Sequence, residues 1–221
     1  MKTKTFCTLK DFLNFDNYSL SPYYVGFFEF FDSKDFSWRE VDQHLILWFL
    51  RNAYEYPGVD VFWNAWLLPK RQIMEDAEMN ACLPLIQKMR RSGTLMTRKE
   101  YVSAWEGDRK FRHQLPFQKN ATVELCVDLL TSRTFTDITS KYFFVNRNRE
   151  LIFICHEDGG FDLVGITETG RAAGVQLLKS LRQREDHLWR CVLSCEGEFI
   201  DTNTEYPYTV RKKSELGENH T

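Results

Sequence analysis

Residues Tyr142 to Val164 read Tyr-Phe-Phe-Val-Asn-Arg-Asn-Arg-Glu-Leu-Ile-Phe-Ile-Cys-His-Glu-Asp-Gly-Gly-Phe-Asp-Leu-Val, and this stretch decides the fold class. Two runs of aromatic and β-branched residues, near 142–146 and 150–156, flank the polar Asn146-Arg-Asn-Arg149. That is the pattern of two strands joined by a hairpin loop. Asp158-Gly-Gly160 is a second turn, because Asp hydrogen-bonds its own backbone and Gly reaches positive φ without a clash. Phe161-Asp-Leu-Val164 then starts a third strand, near 161–165. Three short strands joined by tight turns form an antiparallel meander.

The flanks supply helices. Val123, Cys126, Val127 and Leu130 mark one helical face near 121–132, and Ala172, Val175, Leu178 and Leu181 mark another near 169–184. Leu188-Trp-Arg-Cys-Val-Leu193 reads as a further strand, near 188–194. Towards the N-terminus, Tyr23-Tyr-Val-Gly-Phe-Phe-Glu-Phe-Phe31 is a strand near 23–31, with Gly26 at a bulge. Both of its faces are apolar. It is either a central strand covered on both sides or an aromatic edge open to a partner strand.

Ser37-Trp-Arg-Glu40 is a capping box, and Val41, Leu45, Trp48, Phe49 and Ala53 follow at helical spacing, predicting a helix over 38–54. Pro57-Gly58 ends it. Residues 59–68 read as a strand or a packed loop. Pro69 opens a helical stretch over 70–92 that Pro84 breaks or kinks. Thr97-Arg-Lys-Glu100 is a second capping box, heading a short helix near 98–106, and a basic loop runs on to Lys119. The class is α+β. One domain over 1–204 is expected, with a sub-boundary near 108–120, and 205–221 reads as a polar extension.

The segment from Tyr142 to Val164 resembles the C-terminal hairpin of an uncharacterised bacterial domain family whose second strand ends near Tyr-Asp-Asp-Arg-Gly-x-Asp. Here the matching stretch is His156-Glu-Asp-Gly-Gly-Phe-Asp162. Asp158, Gly160 and Asp162 agree; His156, Glu157 and Gly159 depart, the last losing the Arg. The resemblance spans about residues 121–165. It implies an immunity-type role, since members of that family look like the small proteins found beside bacterial toxins.

Composition narrows the function classes. Of the 221 residues, 43% are apolar and 27% charged, which excludes global disorder. The net charge of −2 excludes a strongly basic nucleic-acid binder. It is a cancellation: residues 11–60 hold nine acidic and three basic side chains, and residues 88–119 hold nine basic and three acidic. No apolar run reaches the roughly 20 residues of a membrane span. No apolar stretch follows the charges of the first ten residues, so a cytoplasmic protein without a secretory signal is expected. Six scattered Cys read as reduced thiols, and Cys191-x3-Cys195 alone supplies too few ligands for zinc. No metal and no cofactor are expected.

Candidate chemistry is sparse. His156, Glu157, Asp158 and Asp162 form the densest cluster of acids and imidazole, able to hold a cation, offer a general base or present an acidic edge to a partner. Turn chemistry explains the same residues. Cys155 and His156 point to opposite faces of a strand and cannot pair as nucleophile and base. Gly170-x3-Gly174 lacks a phosphate-loop context. Arg109, Lys110 and Arg112, interleaved with Tyr101, Trp105 and Phe111, can meet phosphates or an acidic protein. Trp63 and Trp66 have the residue type of interface anchors. The sequence therefore favours a protein-binding protein, an immunity protein for a cognate toxin. Partner-binding residues would be drawn from Glu157, Asp158, Asp162, Trp63, Trp66, Arg109, Lys110 and Arg112. An enzyme using His156, Glu157 and Asp158 is the alternative, and nucleic-acid binding through 88–119 the third.

Overall fold

The computed structural model describes residues 3–5, 7–30, 36–97, 114–137, 139–156, 159–182, 189–195, 198–201 and 210–212. In chain order these form β1 (Thr3–Thr5), α1 (Cys7–Lys10), β2 (Tyr24–Phe30), α2 (Trp38–Asn52), β3 (Val59–Asn64), α3 (Lys70–Glu75), α4 (Ala77–Ala81) and α5 (Leu83–Arg91). There follow β4 (Gln114–Gln118), α6 (Val123–Ser132), β5 (Lys141–Asn146), β6 (Leu151–Cys155), β7 (Gly160–Gly165), α7 (Glu168–Arg182), β8 (Trp189–Cys195), β9 (Glu198–Asp201) and β10 (Val210–Lys212). The strands pair antiparallel, and the class is α+β. The chain divides into two compact units: Met1–Asp11 with Ser33–Arg147, and Phe12–Asp32 with Asn148–Thr221.

In the first unit the strand order is β1-β4-β3-β5. All six residues of β3 are buried, which settles residues 59–64 as a strand with neighbours on both edges. The basic stretch expected to be a loop up to Lys119 ends instead in β4. In it Phe117 packs on Phe62 with ring centroids 4.5 Å apart, and Leu115 is buried. The helix expected over 98–106 lies outside the described residues.

α2 starts as its capping box requires. The Glu40 amide donates to Ser37 Oγ and the Ser37 amide donates to Glu40 at 2.9 Å. Val41, Leu45, Trp48 and Phe49 are buried at the predicted spacing. α6 is rotated from expectation: Cys126, Leu129, Leu130 and Ser132 are its buried side chains, with Val123 and Val127 only half-buried.

Residues 70–92 are three helices rather than one or two. Asp76 caps α4 by accepting from the Met79 amide at 2.9 Å, so it interrupts the run. Pro84 stands in the first turn of α5, where its missing N–H costs nothing, so it opens a helix and breaks none. Asn146, expected in the hairpin loop, is the last residue of β5; it is fully buried and its amide donates to Ala53 O at 2.8 Å.

Buried polar groups pin this unit. Asp42 of α2 accepts from Arg133 Nε at 3.0 Å and from the Thr134 hydroxyl. Burial pushes the Asp42 carboxyl up, and Arg133 pulls it back. Tyr142 Oη lies 2.9 Å from both Ser132 Oγ and Thr136 Oγ1.

In the second unit the strand order is β6-β7-β2-β8-β9-β10. β2 lies between β7 and β8, so the aromatic stretch is a central strand and its open-edge alternative is set aside. The register slips between Tyr24 and Gly26, the expected bulge, and Gly26 has φ +143°. A Cβ there would lie 2.0 Å from Val192 O, so only glycine fits. α7 packs on β7, β8 and β2. It seats so closely that a Cβ on Gly170 would lie 2.0 Å from Glu150 O. Trp189 stands edge-on to Phe28 and Phe30, at 5.3 and 5.4 Å. Residues 210–212 pair with β9 as β10, which corrects their assignment to a polar extension.

Candidate functional site

Two places gather chemistry, one in each unit. In the second unit the β2–β7 register sets Asp162 opposite Phe27, so both rise from one face of the sheet. Tyr24 Oη donates to Asp162 Oδ1 at 2.7 Å, and His156 Nε2 lies 2.9 Å from Asp162 Oδ2. The imidazole leans on the Phe27 ring, 5.6 Å between centroids. The His156 amide donates to Gly160 O at 2.9 Å, which closes the turn between β6 and β7. Beyond Phe27, Glu29 meets Arg190 at 3.1 Å. Burial, then the charge of Asp162, pushes the phenols of Tyr18 and Tyr24 well up, so both stay protonated donors.

Asp162 thus faces two polar side chains, one at each oxygen. The ring nitrogen that lies near this carboxylate is Nε2, the one farther from the His156 main chain. The cluster braces the turn. Glu157 and Asp158, the other expected members, lie outside the described residues, as do Arg109, Lys110 and Arg112. The Cys155 thiol lies 3.7 Å from its neighbour's carbonyl, His156 O.

Trp63 and Trp66, expected as surface anchors, are interior side chains of the first unit. The Trp63 indole N–H donates to Thr94 O at 3.1 Å and that of Trp66 to Thr139 Oγ1 at 2.8 Å. Their rings fill the core because both lie on or just past β3, which is buried on both faces.

Trp66 does reach a cleft. A cavity of about 620 Å³ opens beside it, with Trp66, Leu67, Leu68 and Pro69 as an extended floor. Lys70, Ile73 and Met74 of α3 form one wall, and Leu83, Ile86, Gln87 and Arg90 of α5 the other. Ile73 and Ile86 are deeply buried, whereas Lys70, Met74, Gln87 and Arg90 are exposed. The two charged lining residues are both cations. Among the described residues, neither Lys70 nor Arg90 has an ion pair, although Arg71 pairs with Glu75 at 2.8 Å and Lys88 with Asp128 at 2.5 Å. The sequence reading missed this cleft. Its signal was Asp76, a capping residue in mid-helix that announces a new helix start.

Comparison with protein-family models, curated proteins and solved structures yields no match to this chain. Among the described residues, no helix is long and apolar enough to cross a membrane.

Proposed function

We propose that this chain is a non-enzymatic binding protein that holds another protein in the cleft of its first unit. The observation that carries this is an apolar lining with Trp66, Ile73 and Ile86 buried, within an exposed rim whose two charges, Lys70 and Arg90, are cations without an ion pair among the described residues. An apolar centre ringed by polar groups is the anatomy of a protein interface. In its concrete form the chain is an immunity protein that neutralises a cognate bacterial toxin; the resemblance of residues 121–165 and the local excess of positive charge in 88–119 support that role. Electrostatic complementarity of this sort speeds association and selects the partner.

The test is co-expression with the product of the neighbouring gene. Growth should be rescued by the wild-type chain and lost with Met74→Asp. A harmless neighbouring product, or rescue that Met74→Asp leaves intact, would remove this function.

The second reading, an enzyme, draws on the meeting of His156 with Asp162. It predicts that His156→Ala abolishes biological activity while the chain stays folded. The binding function predicts that activity survives. The third reading, nucleic-acid binding, loses Lys88 to Asp128, and its core residues lie outside the described set.

A further inference from the structure

Resting on the protein-binding function above, we infer that the cleft takes an amphipathic helix carrying carboxylates beside its apolar stripe. Leu83, Ile86, Gln87 and Arg90 stand at i, i+3, i+4 and i+7 of α5, one whole face of that helix. Lys70, Ile73 and Met74 stand at i, i+3 and i+4 of α3. Two helical faces flanking an extended floor form the groove into which a third helix packs, its ridges between theirs.

The charge pattern selects which helix. Lys70 opens α3 and Arg90 lies in the last turn of α5, and each is exposed and without an ion pair among the described residues. A carboxylate on either side of an apolar stripe meets a cation. A lysine there meets like charge, which is how such rims reject wrong partners. A small polar ligand is held by several convergent hydrogen-bonding groups. In this cleft the polar side chains Lys70, Gln87 and Arg90 are exposed and Thr97 is half-buried, while the deep residues Trp66, Ile73 and Ile86 are largely apolar.

The probes are two synthetic helical peptides about five turns long. Both carry Leu at i, i+3, i+4 and i+7; one has Glu beside that stripe and the other Lys. Binding to the full chain is followed by fluorescence anisotropy. The Glu peptide should bind at least about tenfold tighter than the Lys peptide at low salt, and the gap should shrink as salt rises. The double variant Lys70→Glu, Arg90→Glu should invert the preference, and Met74→Asp should weaken both about tenfold, with circular dichroism confirming that each variant is folded. Equal binding of the two peptides, no binding of either, or binding of dodecanoate in place of both would overturn the inference. The broader function fails separately: if neither peptide binds but Met74→Asp still abolishes growth rescue, the cleft holds the partner and only the helix is wrong.

Discussion

The two units hold their helices by different means. In the second, α7 touches the strands beneath it through bare backbone, since side chains at Gly170 and Gly174 would strike Glu150 O and Val25. In the first, α2 is fixed by a buried polar pin, Asp42 to Arg133 and Thr134, and α5 meets α6 through the Lys88–Asp128 pair. Contact at glycine leaves no room. A polar pin sets position at one point and tolerates space elsewhere. The cleft opens in the first unit, beside three short helices with breaks between them.

The largest effect should come from removing the pin. Asp42→Ala leaves Arg133 buried without its carboxylate and is expected to cost about 4 kcal/mol in urea unfolding. Replacing Asp42 with Leu and Arg133 with Met together should recover most of that loss, because desolvating the pair offsets much of its attraction. If Asp42→Ala alone is neutral, the pin is no pin.

Next comes the glycine contact. Gly170→Val should cost about 3 kcal/mol, since the Cβ can be accommodated only by moving α7 off the Glu150 carbonyl. A loss no greater than an exposed Gly→Val exchange in a helix would erase the contrast between the units.

The α2 cap is smaller. Ser37→Ala should cost about 1 kcal/mol. The Ser37 amide and hydroxyl hold the Glu40 carboxyl below its ordinary range. Its folded pKa lies below its unfolded one, so this stabilisation is present above the ordinary glutamate range and is lost as pH falls through the folded value. The stability difference between wild type and Glu40→Gln should therefore narrow on acidification; a difference that widens would be the wrong sign. Smallest of all is the effect of Met74→Asp on folding, within about 0.5 kcal/mol because the side chain is exposed. A large destabilisation would make Met74 a core residue and not a docking one.

Legibility followed the range of the forces involved. The capping box at Ser37 was readable because it is decided within four residues, and the bulge was legible from Gly26 itself, although Val192 on the neighbouring strand is what demands glycine there. The triple break in 70–92 was partly readable, through Asp76, but the helical periodicity of Ile73, Met74 and Ala77 hid it. β4 was hidden by Pro116 and by the basic residues before it. Trp63 and Trp66 look alike as core or anchor side chains, and only tertiary pairing decides between them, of β3 with β5 at Trp63 and of Trp66 with Met96.

By itself, then, the sequence determined the α+β class, the antiparallel pairing of β6 with β7 and the α2 capping box, because hydrogen bonds and side-chain alternation over a few residues dictate them. Only the tertiary structure decided that Asp162 faces both Tyr24 and His156 and that Lys70 and Arg90 line one cleft. Those groups are brought together by strand register and by the meeting of helices far apart in sequence, and no local preference encodes either.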